Sequence, residues 1–257
     1  MTAAQCIQAT KDFWRPNRYG LKEYVLRDGK RHPFALICPG GAYTMVCSFI
    51  EGMPYAKALN AKGYSVFILY YRCKNRARFP APQDDAARAL GDILARADEL
   101  SLDTRGYSLW GSSAGGHLAA SFCTQELGFA KYGLPAPAAL ILTYPVITMG
   151  TLTHPGSRDN LLGPAPSPEL VRKTSVEQQV GPGYPPTFLW CGTADKTVPP
   201  DNSRILARAL KANGVPYLFR EYPGVDHGVG LGKGLACEGW LEEAVEFWEG
   251  QRVHETT

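Results

Sequence analysis

No two cysteines stand as C-x-x-C, and H-E-x-x-H is missing as well. Those absences remove the commonest local frames for a metal or a dithiol couple, so no metal and no cofactor is expected. Neither G-x-G-x-x-G nor G-x-x-x-x-G-K-[ST] occurs. Gly40-Gly41 and the run Gly228-Val229-Gly230-Leu231-Gly232-Lys233-Gly234 fit neither spacing, which argues against a phosphate cradle. No apolar run approaches membrane-spanning length, and Met1-Thr2-Ala3-Ala4-Gln5-Cys6-Ile7-Gln8 has no basic segment leading into an apolar one. A cytoplasmic location and no membrane partner are the default expectations. Strong charge of one sign is lacking too: the formal net charge is +3. The one dense basic group, Arg72-Cys73-Lys74-Asn75-Arg76-Ala77-Arg78, has no interleaved aromatics, so it reads as a solvated loop and not as a nucleic-acid surface.

What is present is ordinary for a packed globular chain: 257 residues, 45% hydrophobic and 20% charged. The seven cysteines, Cys6, Cys38, Cys47, Cys73, Cys123, Cys191 and Cys237, are odd in number, and Cys38 and Cys191 lie in apolar runs. They are expected to be buried free thiols in a reducing compartment.

Continuous apolar runs at Pro33–Cys38, Ser65–Tyr71, Tyr107–Trp110, Ala139–Tyr144 and Thr187–Cys191 have the pattern of strands buried on both faces. Tyr217–Tyr222 is expected to be a further strand, and Tyr24–Leu26 a short one. Helices are expected over Met53–Lys62, Asp84–Leu100, Asn202–Asn213 and Trp240–Gln251, with Asp84 and Asp85 at the positive end of the second. Pro145 to about Pro168 reads as a Pro-, Gly- and Ser-rich span. Alternating strands and helices imply one α/β domain over 1–257, core about 33–252, with a mostly parallel sheet and helices on both faces.

Within that order, Trp110-Gly111-Ser112-Ser113-Ala114-Gly115-Gly116-His117 reads as strand, tight turn and helix. The G-x-S-x-G spacing selects Ser113 over Ser112 as a nucleophile, because close passage of strand and helix leaves room only for hydrogen at Gly111 and Gly115. Three further loops follow strand ends, where ligands collect in such sheets. They are Cys38-Pro39-Gly40-Gly41-Ala42-Tyr43, Gly192-Thr193-Ala194-Asp195, and Pro223-Gly224-Val225-Asp226-His227-Gly228. Nucleophile, acid and base then come in the order Ser113, Asp195, His227. A histidine with an unperturbed pKa of ~6.5 can take the serine proton and return it to a leaving group. Asp195 would hold its tautomer. The N–H groups of Gly41, Ala42 and Ala114 are candidates for an oxyanion hole. Asp226 reads as a loop-forming residue, and His117 as packed beneath the turn. His32, His154 and His254 have no context facing Ser113.

These residues resemble the α/β-hydrolase esterases, in particular the acetyl xylan esterase and feruloyl esterase-like group related to the hormone-sensitive lipases. The likeness runs from about Phe34 to Trp248. It is carried by the three loops, the turn at Ser113, Val198-Pro199, and the segment Tyr144–Met149 with His154-Pro155-Gly156-Ser157-Arg158 and Asn160-Leu161-Leu162-Gly163. Two departures stand out: Ala42 replaces a third glycine, and Cys38-Pro39 replaces a His-Gly start. The resemblance implies a serine carboxylesterase without a sizeable cap domain, acting through an acyl-enzyme on short acyl, chiefly acetyl, esters of carbohydrates or related alcohols. Tyr43 and Tyr144, or Tyr71, could offer a sugar a flat surface. A prolyl oligopeptidase-like serine peptidase shares the fold and residue order but has a gating domain. A non-catalytic α/β-hydrolase-fold ligand-binding protein is the alternative outside enzymes, and there the triad is usually broken.

Overall fold

A computed structural model describes residues 20–254. Cys6, the segment 1–8 and the side chain of His254, named above, lie outside the described residues. In chain order the elements are β1 (Gly20–Tyr24), β2 (His32–Cys38), α1 (Ser48–Glu51), α2 (Met53–Ala61), β3 (Ser65–Tyr70), α3 (Ala81–Ala95), β4 (Leu102–Ser112) and α4 (Ser113–Phe122). They continue with β5 (Ala139–Thr143), α5 (Pro155–Leu162), α6 (Pro168–Thr174), β6 (Thr187–Gly192), α7 (Asp201–Ala212), β7 (Tyr217–Tyr222) and α8 (Trp240–His254).

The sheet has the order β1-β3-β2-β4-β5-β6-β7, parallel except for β1, which pairs antiparallel with β3. Successive side chains point to opposite faces, and both faces are covered. Phe34, Leu36, Phe67, Leu69, Leu140 and Leu142 pack with Leu90 and Ile93 of α3, Leu118 and Phe122 of α4 and Leu206 of α7. The alternate residues Ala35, Ile37, Val66, Ile68, Ile141 and Trp190 pack with Tyr55 and Leu59 of α2 and Trp240 and Trp248 of α8. Coverage on both sides is why these strands are continuous apolar runs in the sequence.

Several elements differ from their expected bounds. The first strand is Gly20–Tyr24, earlier than Tyr24–Leu26. α3 begins at Ala81 because Pro82, which lacks an N–H, costs no hydrogen bond in a first turn. It stops at Ala95, where the next amides turn to i−3 carbonyls, Arg96 to Ile93 and Ala97 to Leu94. Asp85 does not merely face a helix end: its carboxylate accepts the Arg72 N–H at 2.8 Å and the Arg72 guanidinium at 2.9 Å. The Pro-, Gly- and Ser-rich span from Pro145 to about Pro168 contains the helix α5, and α6 begins where it ends. The six described cysteines are free. Among the described residues no helix is long and apolar enough to cross a membrane.

The register Cys38↔Gly111 sets the end of β2 beside the end of β4. The loop from Pro39 therefore lies against the turn at Ser113, and β6 and β7 deliver their loops to the same rim.

Candidate active site

Ser113 has φ 52°, a left-handed conformation that few L-residues other than glycine adopt, and it opens α4. The turn is held because a Cβ at Gly115 would fall on the carbonyl oxygens of Cys38 and Pro39, and one at Gly111 would come within 2.7 Å of the Ala119 Cβ. Ser112 is spoken for: its Oγ accepts the Thr143 hydroxyl at 2.7 Å in a buried position. Ser113 Oγ instead lies 2.9 Å from His227 Nε2, and His227 Nδ1 lies 2.7 Å from Asp195 Oδ2.

Each partner is held by backbone. Asp195 Oδ1 accepts the N–H groups of Thr197 and Val198 at 2.9 and 2.8 Å. With that oxygen occupied, Oδ2 faces the imidazole. Asp226 accepts the His227 backbone N–H at 2.7 Å and so shapes the loop. Gly230, three residues on, donates to the Tyr144 hydroxyl at 3.3 Å, and its carbonyl accepts the Trp240 indole N–H at 3.0 Å.

Opposite Ser113, Gly41, Ala42 and Tyr43 have φ 123°, 55° and 57° in succession. For the alanine and the tyrosine such a conformation costs on the order of 1 kcal/mol each, and strain of this kind collects at functional sites. The turn closes with Thr44 and Met45 N–H on the Gly41 carbonyl. Among the described residues the Gly41 and Ala42 N–H groups have no acceptor. The N–H of Ala114, second residue of α4, has no intrahelical acceptor. Asn160 Nδ2 donates at 2.8 Å to both the Ala42 carbonyl and the Thr44 hydroxyl, and Arg78 donates to the Asn160 carbonyl at 2.7 Å, so α5 braces the strained turn.

Tyr43 and Tyr144 do not offer a sugar a surface. Tyr43 is fully buried and its hydroxyl donates to His117 Nδ1 at 2.8 Å; Tyr144 is 1% exposed. The Tyr144 ring stands edge-on to the His227 ring, centroids 4.8 Å apart. Tyr71 is likewise buried, bonded to the Pro39 carbonyl at 2.6 Å. All three tyrosines shape the site from beneath. His154 caps α5, with Nδ1 accepting the Ser157 N–H at 3.2 Å. His32 bonds Asp28 and the Gly63 carbonyl, near the start of β2 and not the rim. Sequence reasoning passed over Asn160 as a brace, Tyr144 as a support for the imidazole, and the buried Glu51.

His117 is buried between Tyr43 and the Thr174 carbonyl, which its Nε2–H reaches at 2.7 Å. Desolvation pushes its pKa down from 6.5 to about 4. The unfolded chain therefore binds this proton more readily, and stability is lost as pH falls from 6.5, with the loss complete near 4. His117→Gln can accept from Tyr43 and donate to Thr174 without titrating. In urea denaturation at pH 7 and pH 4, the drop in unfolding free energy should be smaller in the variant by about 3 kcal/mol. Equal drops would show that this imidazole does not govern acid sensitivity.

A mostly parallel sheet with a serine on the strained turn after β4, and an aspartate and a histidine after β6 and β7, defines an α/β-hydrolase. The BD-FAE family model matches residues 26–210, and the chain belongs to that family. It is 34% identical, with a TM-score of 0.84, to the acetyl ester-xyloside bifunctional hydrolase from Caldicellulosiruptor lactoaceticus, over 92% of this chain and 89% of that one. It is 30% identical over 250 residues to an endo-1,4-beta-xylanase B from Butyrivibrio fibrisolvens, covering 90% of this chain and 39% of that protein. It is 29% identical over 215 residues to an acetylxylan esterase from Xylanibacter ruminicola, covering 82% of this chain and 44% of that protein. The chain thus spans about two fifths of the length of these curated relatives.

Proposed function

We propose that the chain is a serine carboxylesterase that removes acetyl groups from carbohydrate esters through an acyl-enzyme on Ser113. The observation that carries this is the hydrogen-bonded series Ser113–His227–Asp195 on a strained strand-to-helix turn. The acetylxylan esterase and the acetyl ester-xyloside hydrolase among the relatives support the acetyl-sugar substrate.

The chemistry follows from the geometry. Asp195 accepts the Nδ1–H of His227, which leaves the Nε2 lone pair toward Ser113. Ser113 Oγ attacks the ester carbonyl as its proton passes to Nε2. The negative charge on the carbonyl oxygen is met by the N–H of Ala114 and those of Gly41 and Ala42. Collapse breaks the C–O bond to the alcohol, which leaves with the Nε2 proton. Water then attacks the acyl-enzyme, giving one proton to Nε2, and the second collapse returns that proton to Ser113 and frees acetic acid, which loses its remaining proton to solvent as acetate. The intact series is what a non-catalytic ligand-binding derivative would lack.

The test pairs p-nitrophenyl esters of rising chain length with acetylated xylo-oligosaccharides, alongside labelling by a fluorophosphonate. The expected outcome is the highest kcat/KM for acetyl, release of acetate from the sugars, and one phosphonate adduct, on Ser113. A preference for long acyl chains would remove the acetyl-sugar substrate. Absence of both turnover and adduct would remove the hydrolase.

A further inference from the structure

Glu51, the last residue of α1, is 4% exposed. Asp85, similarly buried, has the Arg72 guanidinium as partner. Among the described residues no lysine or arginine faces Glu51; the cation-forming group in its surroundings is the imidazole of His227. A carboxylate taken out of water without a cation is strongly unfavourable unless hydrogen bonds hold it. Its strongest bond is short: Glu51 Oε2 accepts the Gly40 N–H at 2.7 Å.

Gly40 is the first residue of the turn whose next two amides find no acceptor among the described residues. A Cβ at Gly40 would stand 2.7 Å from Glu51 Oε2 and also 2.7 Å from the Ser113 Cβ. Carboxylate, turn and serine are therefore in direct register with one another. On the far side of the turn the Gly40 carbonyl accepts the Cys47 N–H at 2.9 Å, so α1 and the residue that precedes it grip Gly40 at both its polar groups. Around the carboxylate lie Cys47 of the loop before α1, Tyr55 of α2, Tyr144 after β5, and His227. Around the imidazole lie Asp195, His154 and Tyr144, while the Asp226 carboxylate takes the His227 backbone N–H. Burial pushes the Glu51 carboxyl up, while the Gly40 N–H, His227 and the Tyr144 hydroxyl pull it back.

We infer that Glu51 is a positioning residue for the esterase reaction: its carboxylate holds the Gly40 N–H and so sets the Gly40-Gly41-Ala42 turn against the acyl oxygen. The inference rests on the proposed function. Glu51→Leu removes acceptor and charge, leaving the Gly40 amide unpaired and the turn free to shift. Its kcat for p-nitrophenyl acetate is expected to fall about 100-fold, the scale of a lost oxyanion donor, with KM changed less than about threefold. Glu51→Gln keeps an acceptor of the same reach and loses only the charge. Its kcat is expected to stay within about tenfold of wild type, so that the conservative variant restores most of what Glu51→Leu loses. A purely structural glutamate would lower the melting temperature of Glu51→Leu and leave the kcat of the folded variant at the wild-type value.

Wild-type kcat in folded Glu51→Leu overturns the inference; if that variant does not fold, Glu51→Asp, whose carboxylate is one methylene short of the Gly40 N–H, decides it, with wild-type kcat again the overturning result. Ser113→Ala is measured in parallel. Full turnover in Ser113→Ala would defeat the esterase reading itself. Lost turnover there, with both Glu51 variants like wild type, would defeat only the role of Glu51.

Discussion

Ser113→Ala is expected to lower kcat for p-nitrophenyl acetate by about 10⁴- to 10⁶-fold while leaving KM and the melting temperature close to wild type. The neighbouring hydroxyl cannot take over. Ser112 Oγ is engaged by Thr143 at 2.7 Å on the buried side of the strand end, while the His227 Nε2 faces the Ser113 position at 2.9 Å. The alanine keeps the backbone, so the amides of Gly41, Ala42 and Ala114 still meet a carbonyl oxygen. A residual rate above that in water, on the order of 10³-fold, is expected from them alone. The variant should also take no phosphonate adduct. A kcat within tenfold of wild type would show that the hydroxyl of residue 113 is not the attacking group.

Asp195→Asn is expected to cost about 10⁴-fold in kcat, through a tautomer and not through loss of fold. Asp195 Oδ1 accepts two backbone N–H groups, from Thr197 and Val198. An asparagine there must keep its carbonyl oxygen toward those donors, since its amide would meet them donor to donor. Its amide then points at His227 Nδ1, which has to become the acceptor. The imidazole proton moves to Nε2, facing Ser113 Oγ, and that nitrogen can no longer take the serine proton. Near-wild-type thermal stability with a collapsed kcat would carry the account. A loss of tenfold or less would show that the carboxylate is not needed to set the ring.

Much of this arrangement is legible before any coordinates, for physical reasons that differ by element. The five central strands are covered on both faces, so Phe34–Cys38 or Ala139–Leu142 must be apolar at every position, and such runs are conspicuous. The turn at Ser113 is legible because backbones pass too closely for any Cβ at Gly115. Other parts depend on contacts between residues distant in the chain. Tyr43 and Tyr144 are aromatic residues flanking reactive loops, but nothing local says that the first spends its hydroxyl on His117 and the second on Gly230. Glu51 looks like a surface helix residue until its carboxylate is found on Gly40. The helix α6 did carry a local sign, Ser167 as cap with Pro168 behind it, and the Ser167 hydroxyl does accept the Leu170 N–H at 3.1 Å.

The brace from Asn160 to the Ala42 carbonyl ties the excursion between β5 and β6 to the strained turn beside Ser113. Under the proposed esterase function, any remodelling of that excursion to admit a different alcohol would pull on the same peptide unit whose neighbouring amides would meet the acyl oxygen. Selectivity and speed would then be yoked, and a swap of the excursion among relatives is best made together with the Gly40–Thr44 turn it holds.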